Sequence, residues 1–179
     1  YKGYFIKEYF INYFLHNADI TIDIKNNKVE YHSNNSEDFK ITLVETGPHT
    51  KTAGRLKAVR KYVGDHDFML TYGDGVCDVD LKELLNFHKA HNKVATVTAI
   101  QMDARFGGMD LNSSDEVVSF KEKAKDEGKW INGGFFVLRK EIFGHIHPGD
   151  ELVREPFQRL IEQQALLAYK YTGFWQSIY

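Results

Sequence analysis

Asp67 to Tyr72 is a short apolar run that stops abruptly at Gly73-Asp74-Gly75. A run of this length bounded by turn residues predicts a strand buried on both faces and ending at a loop. Asp80 to His91 follows, with Leu81, Leu84, Leu85 and Phe87 at helical spacing, and then Lys93 to Ile100, β-branched enough to be a second buried strand. Strand, helix and strand in that order form a βαβ unit with a right-handed crossover, so the predicted class is α/β.

Further elements flank this unit. Tyr4 to Phe14 carries Phe5, Ile6, Tyr9, Phe10, Tyr13 and Phe14 on one helical face, an aromatic stripe suited to a core or an oligomer contact. Ile20 to Ile24 and Val29 to His32 predict a hairpin across Asn26-Asn27, polar Ser33 to Asp38 a loop, and Phe39 to Val44 a short strand. Helices are predicted over Gly54 to Tyr62 and Glu155 to Gln164. A hairpin turn into a strand is predicted over Ser113 to Ser119, with further strands over Gly133 to Leu138 and Tyr169 to Trp175. No repeat or low-complexity linker interrupts the 179 residues, which predicts one domain over 1–179.

Composition excludes several classes of function. Lys and Arg number 23 against 25 Asp and Glu, so no basic field invites nucleic acid or an anionic membrane. No apolar run reaches the roughly 18 residues of a membrane-spanning helix, and the basic-then-apolar layout of a signal peptide is absent. Cys77 is the single cysteine, so no internal disulfide forms, and the expected compartment is the cytoplasm. The chain opens on Tyr1 directly into an amphipathic segment, and a natural segment is expected to precede it.

In open α/β sheets ligands bind beyond the carboxyl ends of the strands. Asp74, between two glycines at such an end, is therefore a candidate ligand for a divalent metal; a turn aspartate capping the next helix is the equal alternative. Asp78 and Asp80 read as helix N-terminal residues. His88 and His91 lie three apart on a helix without a visible third metal ligand, and His145 and His147 read as exposed loop residues.

Tyr72-Gly73-Asp74-Gly75-Val76, Phe87-His88-Lys89-Ala90-His91, Ile131-Asn132-Gly133-Gly134-Phe135-Phe136-Val137 and Gly173-Phe174-Trp175-Gln176 occur in that order. Thr52-Ala53-Gly54-Arg55-Leu56-Lys57 precedes them and Arg105-Phe106-Gly107 falls among them. Together they resemble the glucose-1-phosphate cytidylyltransferases of the sugar-1-phosphate nucleotidyltransferase superfamily, over nearly the whole chain. The resemblance implies a Rossmann-like mixed sheet of the nucleotide-diphospho-sugar transferase type, N-terminally truncated. It also implies CTP and glucose 1-phosphate as substrates, CDP-glucose and pyrophosphate as products, Mg2+ as cofactor, a homo-oligomer, and a place in polysaccharide biosynthesis.

By the same resemblance Asp74 is the metal ligand, Lys123 holds the sugar phosphate and Glu122 the sugar hydroxyls. From composition alone, Glu122 and Lys123 are part of a charged surface run, and the proline usual after the lysine is Ala124 here. Gly73, Gly107, Asn132, Gly133, Gly134 and Glu155 are implied at the substrate site. Gly54 and Arg55 are implied near the nucleobase and phosphates, with Ala53 where the family has a further glycine. Read without the resemblance, Gly133-Gly134 is a β-bulge and Glu155 a first-turn helix acid. Two departures predict impaired activity: the family's glycine-rich triphosphate loop would precede Tyr1, and Tyr179 stands at the expected second metal-ligand aspartate. A non-catalytic nucleotide-sugar binding module, or a uridylyl or thymidylyl transferase, is the alternative.

Overall fold

The computed structural model describes residues 2–33, 35–101, 108–114, 116–121 and 130–178. They fall into two units, Tyr1–Thr50 and Lys51–Tyr179.

In the first unit the aromatic stretch makes two helices, α1 (Gly3–Ile11) and α2 (Tyr13–His16), instead of the single one expected over Tyr4 to Phe14. The break is at Asn12, whose side-chain amide donates to the Glu8 carbonyl at 2.9 Å. Its backbone N–H donates to the same carbonyl at 3.1 Å, and with φ −94° and ψ 3° the residue leaves the helical conformation. The stripe does not form a core: Phe5 is 61% exposed and Tyr9 52%. Strands β1 (Ile20–Asp23) and β2 (Lys28–Tyr31) form the expected antiparallel hairpin, Ile20 opposite Tyr31. Its turn is fixed by the Asp23 carboxylate, which accepts from the Asn26 backbone N–H and side-chain amide and is thereby held below its usual pKa. The strand expected over Phe39 to Val44 is absent. No neighbouring strand pairs with it among the described residues, and a lone extended segment is not a sheet. Phe39, Ile41 and Leu43 instead line a cavity of about 780 Å³ with Phe10, Ile11 and Phe14.

The second unit holds α3 (Thr52–Val63), β3 (Phe68–Thr71), β4 (Gly75–Cys77), α4 (Leu81–Ala90), β5 (Ala95–Ile100), β6 (Gly108–Leu111) and β7 (Val117–Lys121). They are followed by β8 (Ile131–Leu138), a 3-10 helix (Lys140–His145), α5 (Glu155–Glu162), β9 (Leu166–Tyr171) and β10 (Trp175–Ser177). The central sheet runs β3-β8-β5-β9, with β8 antiparallel to both neighbours and β9 parallel to β5. The sheet is mixed, as expected. β3 and β5, the strands of the anticipated βαβ unit, are parallel but separated by the inserted β8. The strand expected over Tyr169 to Trp175 is instead two: β9 starts earlier, against β5, and the chain turns at 172–174 before β10 pairs with β4.

Alternation along β8 explains the layers. Phe136 and Leu138 face a cluster with Ala53 and Leu56 of α3, Ile142 of the 3-10 helix, and Phe157 and Leu160 of α5. Val137 faces the other way, onto Leu84 of α4 and Val79. A sheet covered on both faces needs strands apolar on both, and β5, buried at five of its six positions, is such a strand. α4 starts where Asp80 accepts the N–H groups of Lys82 at 2.7 Å and Glu83 at 3.1 Å. Asp78 does not cap; its carboxylate accepts the Tyr171 hydroxyl instead, which pushes that phenol up to about 12.

Candidate active site

At the end of β3 the chain leaves the sheet through Tyr72-Gly73-Asp74 and returns as β4, so Asp74 sits exposed on a loop at a strand's carboxyl end. Opposite stands the start of β8, where three residues of β8, 133–135, lie against the single Thr98 of β5: Val97 pairs with Phe136 and Ala99 with Asn132. This is the β-bulge reading of Gly133-Gly134, and it shapes a pocket wall at the same time. Gly134 has φ +78°, which favours glycine, and the Asn132 carboxamide oxygen accepts its N–H at 2.9 Å. Gly133 is packed so closely that a Cβ would stand 3.0 Å from the Thr98 carbonyl oxygen.

Between the two walls lies a pocket of about 520 Å³ lined by Thr71, Tyr72, Asp74, Gly75, Ile131–Phe135, Trp175 and Ser177. Asp74, Asn132, Gly133 and Gly134 are thus brought together from distant parts of the chain, with Gly73 in the same loop. Tyr72 packs on Gly134 and edge-on against Phe136, and burial raises its phenol pKa. Trp175 donates its indole N–H to the Gly133 carbonyl at 2.8 Å. Composition pointed to neither aromatic as part of a site; their adjacency to Gly-Asp-Gly and Phe-Trp-Gln was the available signal.

The remaining candidates fall elsewhere. Gly54 and Arg55 are on the first turn of α3, and Glu155 opens α5, its carboxylate accepting the Glu151 N–H at 2.8 Å and held below its usual pKa by that bond. None of the three lines this pocket. Gly107, Glu122 and Lys123, with Arg105 and Phe106, lie outside the described residues, as does Tyr179. His88 and His91 meet on the hydroxyl of Thr96, at 2.8 and 2.9 Å. Asp150 and Arg159, which the sequence did not single out, form an ion pair at 2.6 Å.

Among the described residues no group of three or more His, Cys, Asp or Glu side chains could hold a metal alone. Asp74 offers one hard-oxygen ligand beside an open pocket. That donor set fits a cation such as Mg2+, which is commonly held by one or two carboxylates together with substrate phosphates and water.

The nucleotidyl transferase family profile matches residues 11–178. The glucose-1-phosphate cytidylyltransferase of Salmonella typhimurium is 47% identical, covering 99% of this chain and 70% of that protein. A Bacillus subtilis protein assigned the same activity is 37% identical with the same coverage. A crystal structure described as a glucose-1-phosphate thymidylyltransferase from Bacillus anthracis, 16% identical, aligns with a TM-score of 0.53 over 73% of this chain and 56% of that one. At that identity the likeness shows the fold: the nucleotide-diphospho-sugar transferase type with its mixed sheet. The chain belongs to the nucleotidyl transferase family, among its glucose-1-phosphate cytidylyltransferases.

Proposed function

We propose that this chain forms CDP-glucose and pyrophosphate from CTP and glucose 1-phosphate, at the pocket between Asp74 and the Gly133-Gly134 bulge. The 47% identity to the Salmonella typhimurium cytidylyltransferase supports the reaction. A carboxylate facing a wall of bare backbone is the observation that carries the location. In this reaction an oxygen of the sugar phosphate attacks the α-phosphorus of CTP, the bond to the β-phosphate breaks, and pyrophosphate leaves. Such transfer depends on positioning and on stabilising charge more than on covalent chemistry by the protein.

Each residue has a part in this reading. Asp74 holds Mg2+, which when bound neutralises phosphate charge. Gly133 and Gly134 let the sugar approach the backbone closely, as residues without side chains permit, and Asn132 lines the same wall of the sugar pocket. Lys123 holds the sugar phosphate as a compact point charge and Glu122 accepts from sugar hydroxyls. Gly107 and Glu155 belong to the sugar side and Gly54 and Arg55 to the nucleotide side. The substrates are small molecules, met in the cytoplasm by a homo-oligomer.

Calorimetric titration with CDP-glucose and Mg2+, with UDP-glucose as comparison, tests the reading. CDP-glucose is expected to bind more tightly than UDP-glucose, and Lys123→Ala to weaken it. Equal affinity for the two, or no effect of Lys123→Ala, would count against the cytidylyl assignment or the phosphate site respectively.

A further inference from the structure

The pocket lies where two sheets meet, and among the described residues no ladder joins them: β3, β8, β5 and β9 form one, β4 and β10 the other. Asp74 travels with the β4/β10 ribbon, its carbonyl accepting the Ile178 N–H at 2.8 Å next to the Gly75–Ser177 pair. Gly133 travels with the central sheet. The indole N–H of Trp175, in β10, reaches across to the Gly133 carbonyl at 2.8 Å. The bulge gives it that partner, since residues 133–135 face only Thr98 in β5. From the other side, Thr98 and Ile100 hold Gly133 so closely that a Cβ would meet them at 3.0 and 3.1 Å. The Gly133–Gly134 peptide is held at its N–H by the Asn132 carboxamide oxygen at 2.9 Å and at its carbonyl by the indole, while the next carbonyl, that of Gly134, accepts the Tyr72 N–H at 3.1 Å. Of these contacts, the indole bond to the Gly133 carbonyl is the one that comes from the β4/β10 ribbon.

We propose that Trp175 is a positioning residue for the sugar end of the pocket. Its N–H fixes the Gly133 carbonyl, and with it the spacing between the bulged wall and the Asp74 loop. This rests on the reading of the pocket as the sugar-nucleotide site.

Trp175→Phe keeps an aromatic ring and removes the N–H. Affinities for CDP-glucose and for CDP, both with Mg2+, are to be measured with melting temperatures. The expected result is a loss of roughly tenfold for CDP-glucose, the order set by one hydrogen bond, with CDP affinity and melting temperature little changed. Equal losses for both ligands would make Trp175 a structural staple only, and no loss for either would remove it from the site; both overturn the proposal while the pocket reading stands. Failure of the parent chain to bind CDP-glucose would overturn the pocket reading and the proposal with it. Should the variant not fold, hydrogen exchange of the Trp175 indole in the parent decides: slowing on addition of CDP-glucose supports the proposal, and an unchanged rate overturns it.

Discussion

The units Tyr1–Thr50 and Lys51–Tyr179 use apolar side chains to different effect. Every fully buried apolar side chain among the described residues lies between Ala53 and Leu160, whereas none of the described residues before Lys51 is fully buried. The first stretch has the periodicity of a helix and the alternation of a hairpin, and the two touch where Phe14 meets Tyr31 edge-on, yet that contact buries neither ring. In the second, each strand of the central sheet has helices to pack against. Periodicity decides which local element forms; burial depends on what a distant part of the chain supplies.

The sharpest way to break this comparison is to delete equivalent rings. Phe136→Ala should destabilise by about 3–5 kcal/mol, while Phe5→Ala stays within about 0.5 kcal/mol, measured by urea denaturation. Equal losses would show that the first unit contributes to the core. Next in size is Gly133→Ala, whose new methyl meets the Thr98 backbone and should cost about 1–3 kcal/mol. Gly144→Ala, with nothing within 4 Å of the added carbon, is the control expected to be near neutral in the same thermal melts. Asp80→Ala removes the cap of α4 and should cost about 1 kcal/mol, seen as a lower melting temperature.

The smallest effect is one of pH. The Lys93 N–H occupies Nδ1 of His91, so the proton of that ring is on Nε2 and is donated to Thr96. The Thr96 hydroxyl then donates to Nδ1 of His88, whose own proton on Nε2 faces Asp67 at 3.9 Å. A further proton on His91 would fall on Nδ1, against the Lys93 N–H, and one on Nδ1 of His88 would force the Thr96 hydroxyl hydrogen to turn away. Desolvation lowers both pKa values; the charge of Arg139 adds to this on both rings and Lys93 on His91, while Asp67 opposes it on His88. Because the folded state resists protonation, stability is full above the ordinary histidine value of 6.5 and is lost as pH falls below it. The melting temperature should therefore drop between pH 7 and 5.5, and His88→Gln should flatten that slope. An unchanged slope would remove His88 from the balance.

The helices and buried strands after Lys51 were legible because their apolar spacing matches burial that the sheet provides. Asp74 was legible as the residue at which an apolar run ends in glycines. Phe39 to Val44 misled because alternation signals a strand but cannot name its partner. The break at 172–174 was hidden because β9 takes its register from β5, a strand far back in the chain. Asp78 and Asp80 could not be separated by composition; Tyr171, brought in by β9, takes the first and leaves the second to cap. The bulge at Gly133 had been one of two readings, and only the pairing of β8 with β5 shows that the same backbone forms the bulge and lines the pocket.

The pairing of Ala95 with Leu166 has a consequence for synthesis. β5 cannot gain its parallel neighbour, nor β4 its partner β10, until nearly the whole unit has been translated. At about 5–20 residues per second, β3, β5 and β8 wait several seconds on the ribosome with apolar strand surface uncovered. The nascent chain should therefore depend on chaperones during that interval, and synonymous changes that slow translation between residues 138 and 166 should lower the soluble yield without altering a single contact of the finished protein.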